Sequence, residues 1–271
     1  MGIDFTENEK SLESRIKIHD LYGSANLDEW MLEQIRPSSK DVILDLGCGD
    51  GKQCFAIENY LNKLDSQKTY ILHGVDEHQN LIQKAKNKNK NKDIKFQEGS
   101  FDNKLNFESN TFDIVIASFS IYYAEDIKKT IKEIVRVLKK DGRIFFCGPM
   151  PDNKIEFNHV VEEAANKKIP KLIGSSRFST EIFDEVRRSL SKAKINVFKN
   201  ELIFDKVEPF LEYAISALEK NRNVYEDFLK GEDFEKIIEN IKKILTESIK
   251  KNNFLKMTKL VGGISAVKIN D

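Results

Sequence analysis

The 271-residue chain carries 44 Lys and Arg against 44 Asp and Glu, so no basic excess favours nonspecific nucleic-acid binding. Hydrophobic residues make up 40% and charged residues 32%, which suits one large α/β domain, or one with a small cap. Three irregularly spaced cysteines (Cys48, Cys54, Cys147) exclude a disulfide framework or a zinc site. The longest apolar-rich run, Ile114 to Ala124, falls short of the roughly 20 residues that span a bilayer.

In chain order, residues 1–40 read as helical. Asn26 with Glu29 makes a capping box for a helix bearing Leu27, Trp30, Met31 and Ile35. The opening residues hold no signal-peptide core, and a soluble, cytoplasmic protein is expected. Gly2 followed by Thr6 fits only the loose myristoylation pattern, without a second membrane signal nearby. Val42 to Leu46 reads as a strand that ends in a glycine-rich turn, and a helix follows. Strands are expected at Tyr70–Val75, Ile94–Phe96, Phe112–Ser118 and, after an Asp141-Gly142 turn, Arg143–Cys147. Helices over Leu81–Lys88 and Ile127–Leu138 alternate with them. The Lys/Asn stretch 86–92 reads as a solvated helix end.

After Pro149 the rhythm changes. Residues 153–192 read as two helices, the second entered through Ser179 or Thr180. Ile195–Phe204 reads as a strand and 207–251 as helical. Phe254–Ile269 reads as a last strand with a bulge or bend at Gly262-Gly263. Such alternation with near-continuous apolar strands predicts a doubly wound, mainly parallel sheet.

The chemistry concentrates in Asp45-Leu46-Gly47-Cys48-Gly49-Asp50-Gly51-Lys52. Glycines let the backbone turn sharply and approach a ligand, and the helix that follows turns its free N–H groups toward it. The Gly-Lys-Ser/Thr triplet of a phosphate loop is missing, since Gln53 follows Lys52. Lysine also stands where a dinucleotide fingerprint has its third glycine. With Asp45 two residues before Gly47, the pattern suits a ligand with an amino-acid portion better than a pyrophosphate. Asp76, at the end of the second strand, suits either a ribose diol or the cap of a helix starting at Glu77.

Together, VILDLGCGDGK, GVDEHQNLIQKAK, FQEGSFDNKLNFESNTFDIVIASFSIYYAED and IVRVLKKDGRIFFCGP resemble, in order, the class I S-adenosylmethionine-dependent methyltransferases. The resemblance covers about residues 15–150, and FLKMTKLVGGISAVK resembles that family's last, antiparallel strand. It implies a seven-stranded sheet with an antiparallel last strand plus a helical cap, and S-adenosylmethionine as cofactor, leaving as S-adenosylhomocysteine. The implied layout is a cap segment over 1–40, a core over 41–205 with a helical insertion at 153–192, a second cap insertion over 206–253 and the final strand over 254–271. The resemblance implies that Gly47, Cys48 and Gly49 line the methionine portion, with Asp45 beneath helping to hold its ammonium. Asp76 would take the ribose hydroxyls and Glu77 would lie beside the adenine, with Ser100 and Phe101 at the adenine edge. Ser100 stands where many relatives carry aspartate. Ala117, Ser118 and Phe119 would flank the methionine end, and Tyr22 would close over the cofactor.

An amine acceptor must lose its proton and a hydroxyl acceptor is helped by a general base; His19 and Tyr123 are the candidate bases, with His159 behind them. His73 reads as a core histidine, and His78 as part of a helix start. Residues 117–120, Ala-Ser-Phe-Ser, lack the Asn/Asp-Pro-Pro-Tyr/Phe signature of exocyclic-amine methylation, and no Pro-Cys nucleophile follows that strand. Cys147 reads as a buried thiol. The expectation is methyl transfer to an oxygen or nitrogen of a small molecule, without a metal, a nucleic-acid partner or a membrane. The alternatives are RNA or protein methylation, or an inactive scaffold that binds the cofactor.

Overall fold

The computed structural model describes residues 17–19, 21–64, 69–90, 94–169, 173–218 and 228–269. The Gly2–Thr6 pattern and the end of the Lys/Asn stretch lie outside them. Seven strands, β1 (Val42–Leu46), β2 (Ile71–Asp76), β3 (Ile94–Glu98), β4 (Phe112–Ser118), β5 (Leu138–Pro149), β6 (Ser191–Phe204) and β7 (Leu255–Val267), form one sheet in the order β3-β2-β1-β4-β5-β7-β6. Strands β1 to β5 pair in parallel, and β7 runs antiparallel to both β5 and β6. This is the doubly wound sheet that the sequence predicts. Strands covered on both faces must be apolar throughout, and Ile43, Leu44, Leu46 and Ile114 to Ala117 are nearly solvent-free.

Helices α1 (Leu27–Ile35), α2 (Lys52–Leu64) and α3 (Gln79–Lys88) bury Met31, Ile35, Cys54, Ile57, Ile82 and Ala85 on one face of the sheet. Asn26 Oδ1 caps α1, accepting the amides of Asp28 (2.9 Å) and Glu29 (3.2 Å). Helix α4 (Ile127–Val137) covers the other face with Ile131 and Ile134. Helices α5 (Ile155–Ala165), α6 (Ile173–Arg177), α7 (Phe183–Ser189), α8 (Val207–Leu218) and α9 (Phe234–Asn252) follow, and a π turn over Phe178–Ile182 joins α6 to α7.

Four local readings are corrected. Asp141-Gly142 is no turn before the strand: β5 begins at Leu138 and passes through it as a bulge, where Asp141 has φ 61° and the register with β4 shifts. Ser179 and Thr180 lie inside the π turn, not at a helix start. Their hydroxyls donate back to Ser175 O (3.3 Å) and Ser176 O (2.8 Å), as such side chains do within helices. Helix α3 begins at Gln79, with His78 at the N-cap position. The glycine pair in β7 makes no bulge, since Cys147↔Gly263 and Gly148↔Gly262 pair in unbroken register. A Cβ on Gly263 would lie 2.7 Å from both Phe145 and Trp30, and one on Gly262 would meet Met150 Sδ at 2.7 Å and Phe178 at 2.8 Å. These glycines are required by close packing, not by bending.

The sheet is uneven at one edge. Pairing of β7 with β5 stops at Val261, opposite Pro149, but pairing with β6 continues to Leu255, opposite Phe204. Residues 255–260 therefore project past the carboxyl ends of the parallel strands. Their outer edge is satisfied by the segment after β5. Met150 N donates to Leu260 O (3.3 Å) and Lys154 N to Thr258 O (2.8 Å), while Asn153 Oδ1 accepts Leu260 N (3.0 Å) and Glu156 Oε2 accepts Thr258 N (2.9 Å). On this ribbon α5, α8 and α9 bury a separate core containing Phe157, Leu202, Phe204, Phe210, Tyr213, Ile241 and Met257.

Gly263→Ala should lower the unfolding free energy by about 1–3 kcal/mol, the usual cost of overpacking, measured by urea denaturation. Wild-type stability would refute the packing account.

Candidate functional site

The strand order reverses beside β1, which leaves a crevice at the carboxyl ends of β1, β2 and β4, where doubly wound sheets bind ligands. The turn after β1 is tied to the end of β2. Val75 O accepts the amides of Gly47 (2.7 Å) and Cys48 (3.0 Å), and Asp76 Oδ2 accepts that of Gly49 (2.8 Å). Gly47, Gly49 and Gly51 adopt φ of 70°, 55° and 88°, a region costly for other residues. At Gly47 a Cβ would strike Ser120 Cβ at 2.3 Å, whereas at Gly49 it would meet nothing within 4 Å. The loop is packed beneath Gly47 and open above Gly49.

Asp45 lies under this loop, 2% exposed. Its Oδ2 accepts the Cys54 thiol at 3.4 Å, and Oδ1 is buried with no hydrogen-bond partner. Burial pushes the carboxyl up from an ordinary 3.8 to about 7; the Cys54 bond lowers it and the nearby Asp76 raises it further. Ser118 Oγ, at the end of β4, is likewise buried without a partner. Because side chains alternate along strands, Asp45 and Ser118 point to the sheet face that carries α1 and α2. A buried acceptor and a buried hydroxyl without partners, beside an open glycine, fit a ligand that carries an ammonium.

Asp76, 7% exposed, uses its other oxygen to accept His78 N at 2.9 Å, and the His78 ring lies 3.1 Å from the same atom. Its carboxylate has further lone pairs. Glu77 is exposed next to it. Phe101 would lie 3.6 Å from a Cβ on Gly47, so its ring adjoins the loop. Ser100 Oγ accepts Asp102 N at 3.3 Å. Ala117 is buried in β4, and Phe119, just after that strand, holds φ 56° while donating its amide to Cys147 O at 2.8 Å. Such a conformation costs a bulky residue about 1 kcal/mol or more.

The remaining candidates lie on other elements. Tyr22 packs on Phe204 (4.9 Å between ring centroids) and His19 on Tyr213 (5.7 Å), both against the core beneath α5, α8 and α9. Tyr123 lies in the 3-10 turn Ile121–Tyr123 against Tyr122, and His159 is exposed on α5. His73 packs edge-on against Phe107 and Phe112, and burial lowers its pKa. Cys147 is fully buried, and burial raises its thiol pKa. Among the described residues no cluster of His, Cys, Asp or Glu is suited to a metal, and no helix is long and apolar enough to cross a membrane.

Sequence reading missed Ser120 and Asn200. Ser120 Oγ donates to Leu46 O at 2.7 Å, bracing the loop from below. Asn200 Oδ1 accepts the amides of Ser24 (2.7 Å) and Ala25 (3.2 Å), which fixes the segment leading to α1. Each partner lies far away in sequence, so no local signal marks either residue.

Residues 44–146 match the family described as a methyltransferase domain. An uncharacterized methyltransferase, YcgJ of Bacillus subtilis, is 29% identical over 116 residues, which is 42% of this chain and 42% of that protein. Demethylmenaquinone methyltransferase of Lactococcus lactis is 35% identical over 105 residues, 38% of this chain and 39% of the relative. The chain thus spans less than half the length of these curated relatives. The crystal structure of YcgJ superposes with a TM-score of 0.55 at 18% identity, covering 90% of this chain and 98% of that one. At that identity the likeness speaks for the fold.

A carboxyl whose folded pKa lies above its unfolded one binds protons more tightly in the folded state, so stability falls as pH rises from about 4 to about 7 and then levels off. The cost at neutral pH is on the order of 4 kcal/mol. Asp45→Asn should flatten this decline in denaturation curves between pH 4 and 8. An identical slope in variant and wild type would remove Asp45 as its source.

Proposed function

We propose that this chain, a member of the class I S-adenosylmethionine-dependent methyltransferase family, moves a methyl group onto an oxygen or nitrogen of a small molecule. The observation that carries the cofactor reading is the open face at Gly49 beside the partnerless Asp45 Oδ1 and Ser118 Oγ. Asp45 would hold the ammonium of the methionine portion, with Gly47, Cys48, Gly49 and Ala117 to Phe119 around it. Asp76 would accept the ribose hydroxyls through lone pairs not already used, while Glu77, Ser100 and Phe101 would border the adenine. S-Adenosylmethionine supplies an already activated methyl group, so the protein need only align a nucleophile and exclude water.

The small-molecule reading is supported by the ribbon of β6 and β7, which carries three helices beyond the carboxyl ends of the strands. Additions in that position restrict access to the crevice. The charge balance of the chain offers no attraction to a polyanion. For an amine or hydroxyl acceptor, His19 and Tyr123 are the candidate bases, one on the cap and one beside the end of β4.

Calorimetry with S-adenosylmethionine should show binding that Asp76→Ala weakens by about tenfold or more, because losing a charge-assisted contact costs roughly 1.5–3 kcal/mol. NAD should not bind. Gly49→Ala should abolish binding and lower the unfolding free energy by only about 1–2 kcal/mol, the cost of left-handed backbone at φ 55°, since the added methyl itself enters open space. Unchanged affinity in both variants would defeat the site assignment. Labelled methyl groups should enter the small-molecule fraction of a cell extract. Label in RNA or protein would move the acceptor class, and binding without any transfer would make the chain a scaffold.

A further inference from the structure

We propose that Arg177 is a positioning residue for the cofactor loop, holding it from the insertion through the turn that follows β4. The proposal rests on the cofactor reading above for its functional consequence, though not for its mechanics.

Arg177 ends α6, and its side chain is 15% exposed. Its guanidinium donates to three carbonyls of the turn after β4: Tyr122 O at 3.1 Å, Ala124 O, and Glu125 O at 3.5 Å. A turn this short leaves its last carbonyls without internal partners, and a planar fork of five N–H donors can serve several at once. The fork is itself fixed. Its Nε donates to Glu181 Oε2 at 2.7 Å, and the π turn beginning at the next residue seats Phe178 against the bare backbone of Gly148 and Gly262.

The turn is held by other contacts as well. Glu125 N donates to Asp102 Oδ1 at 2.8 Å, which joins the turn to the loop after β3. Ser120, at its start, bonds to Leu46 O and presses against Gly47 so closely that no Cβ fits between them. A shift of residues 120–125 therefore cannot be absorbed before it reaches Gly47. Arg177 lies at the far end of this rigid chain, on an insertion that shares none of the loop's own sequence. Its contacts run through carbonyls, so side-chain changes at positions 122–125 would leave them in place.

The test uses the full chain with Arg177→Ala, Arg177→Lys, Glu181→Ala and Arg188→Ala, reading amide hydrogen exchange and S-adenosylmethionine affinity. Arg177→Ala should speed exchange at Gly47, Cys48 and Gly49 by roughly tenfold, the effect of freeing charge-assisted contacts on a local opening. It should weaken the cofactor by a similar factor. Arg177→Lys, with a single ammonium, should fall in between. Glu181→Ala, which frees one side of the fork, should likewise fall in between, and the exposed Arg188→Ala should match wild type. Faster exchange confined to residues 173–189 with an unaltered loop, or uniform acceleration throughout the sheet, would reduce Arg177 to a structural anchor and overturn the proposal. If Arg177→Ala does not fold, the Lys variant decides. If the wild-type chain does not bind S-adenosylmethionine, the cofactor reading fails, while the exchange pattern still judges the mechanical link.

Discussion

The arrangement at the crevice depends on how the end of β2 receives the loop after β1. One carbonyl, Val75 O, takes two successive amides, and the carboxylate of Asp76 takes a third. Three neighbouring N–H groups are thereby turned inward, and the loop presents its glycine side outward. That geometry needs positive φ at alternate residues, which only glycine adopts cheaply. It also needs the side chains of Cys48 and Phe96 to pack directly over β2, and Gly74 permits this: a Cβ there would strike Phe96 at 2.6 Å and Cys48 Sγ at 2.9 Å. The motif is thus a solution to backbone satisfaction before it is a ligand site.

Below the loop the protein keeps a carboxyl group with only one of its two oxygens bonded. Burying such a group is unfavourable unless it takes up a proton or meets a cation. On the proposed function, the missing partner arrives with the cofactor, and the ligand-free protein carries the strain of waiting for it. Phe119 carries a second strain of the same kind at the end of the adjacent strand. A half-satisfied buried carboxyl and a left-handed phenylalanine thus sit together at the carboxyl ends of β1 and β4. Sites in which binding groups must be preset show this distribution.

Much of the sheet was legible because its signals are local. Apolar runs at Val42–Leu46 and Phe112–Ser118 leave little choice of state, and the spacing of Asp45, Gly47, Gly49 and Asp76 speaks for itself. What was not legible depends on partners distant in the chain. Ser120 looks like any loop serine until Leu46 O is beside it. Gly262 and Gly263 read as a bend because only the assembled structure brings Phe178, Trp30 and Phe145 against them. Ser179 and Thr180 resembled a helix start, yet their hydroxyls serve the preceding turn within a continuous helical segment. Asp141-Gly142 has the chemistry of a tight turn, and β5 uses it for a bulge because Asp141 N and Gly142 O bond instead to Lys268 at the end of β7.

The placement of β7 between β5 and β6 has a consequence for how the chain assembles. Among the described residues β6 pairs with β7 and, through one bridge at Leu202, with Gly23, and about fifty residues separate the end of β6 from the start of β7. During synthesis the 14-residue β6 must therefore wait, with the edge that β7 will fill bare, until residues 255–267 have left the ribosome. Exposed Val197 and Ile203 lie within that waiting strand. Bare edges of this sort pair readily with other chains, so the interval between the two strands is the stretch of biogenesis in which a chaperone would matter most.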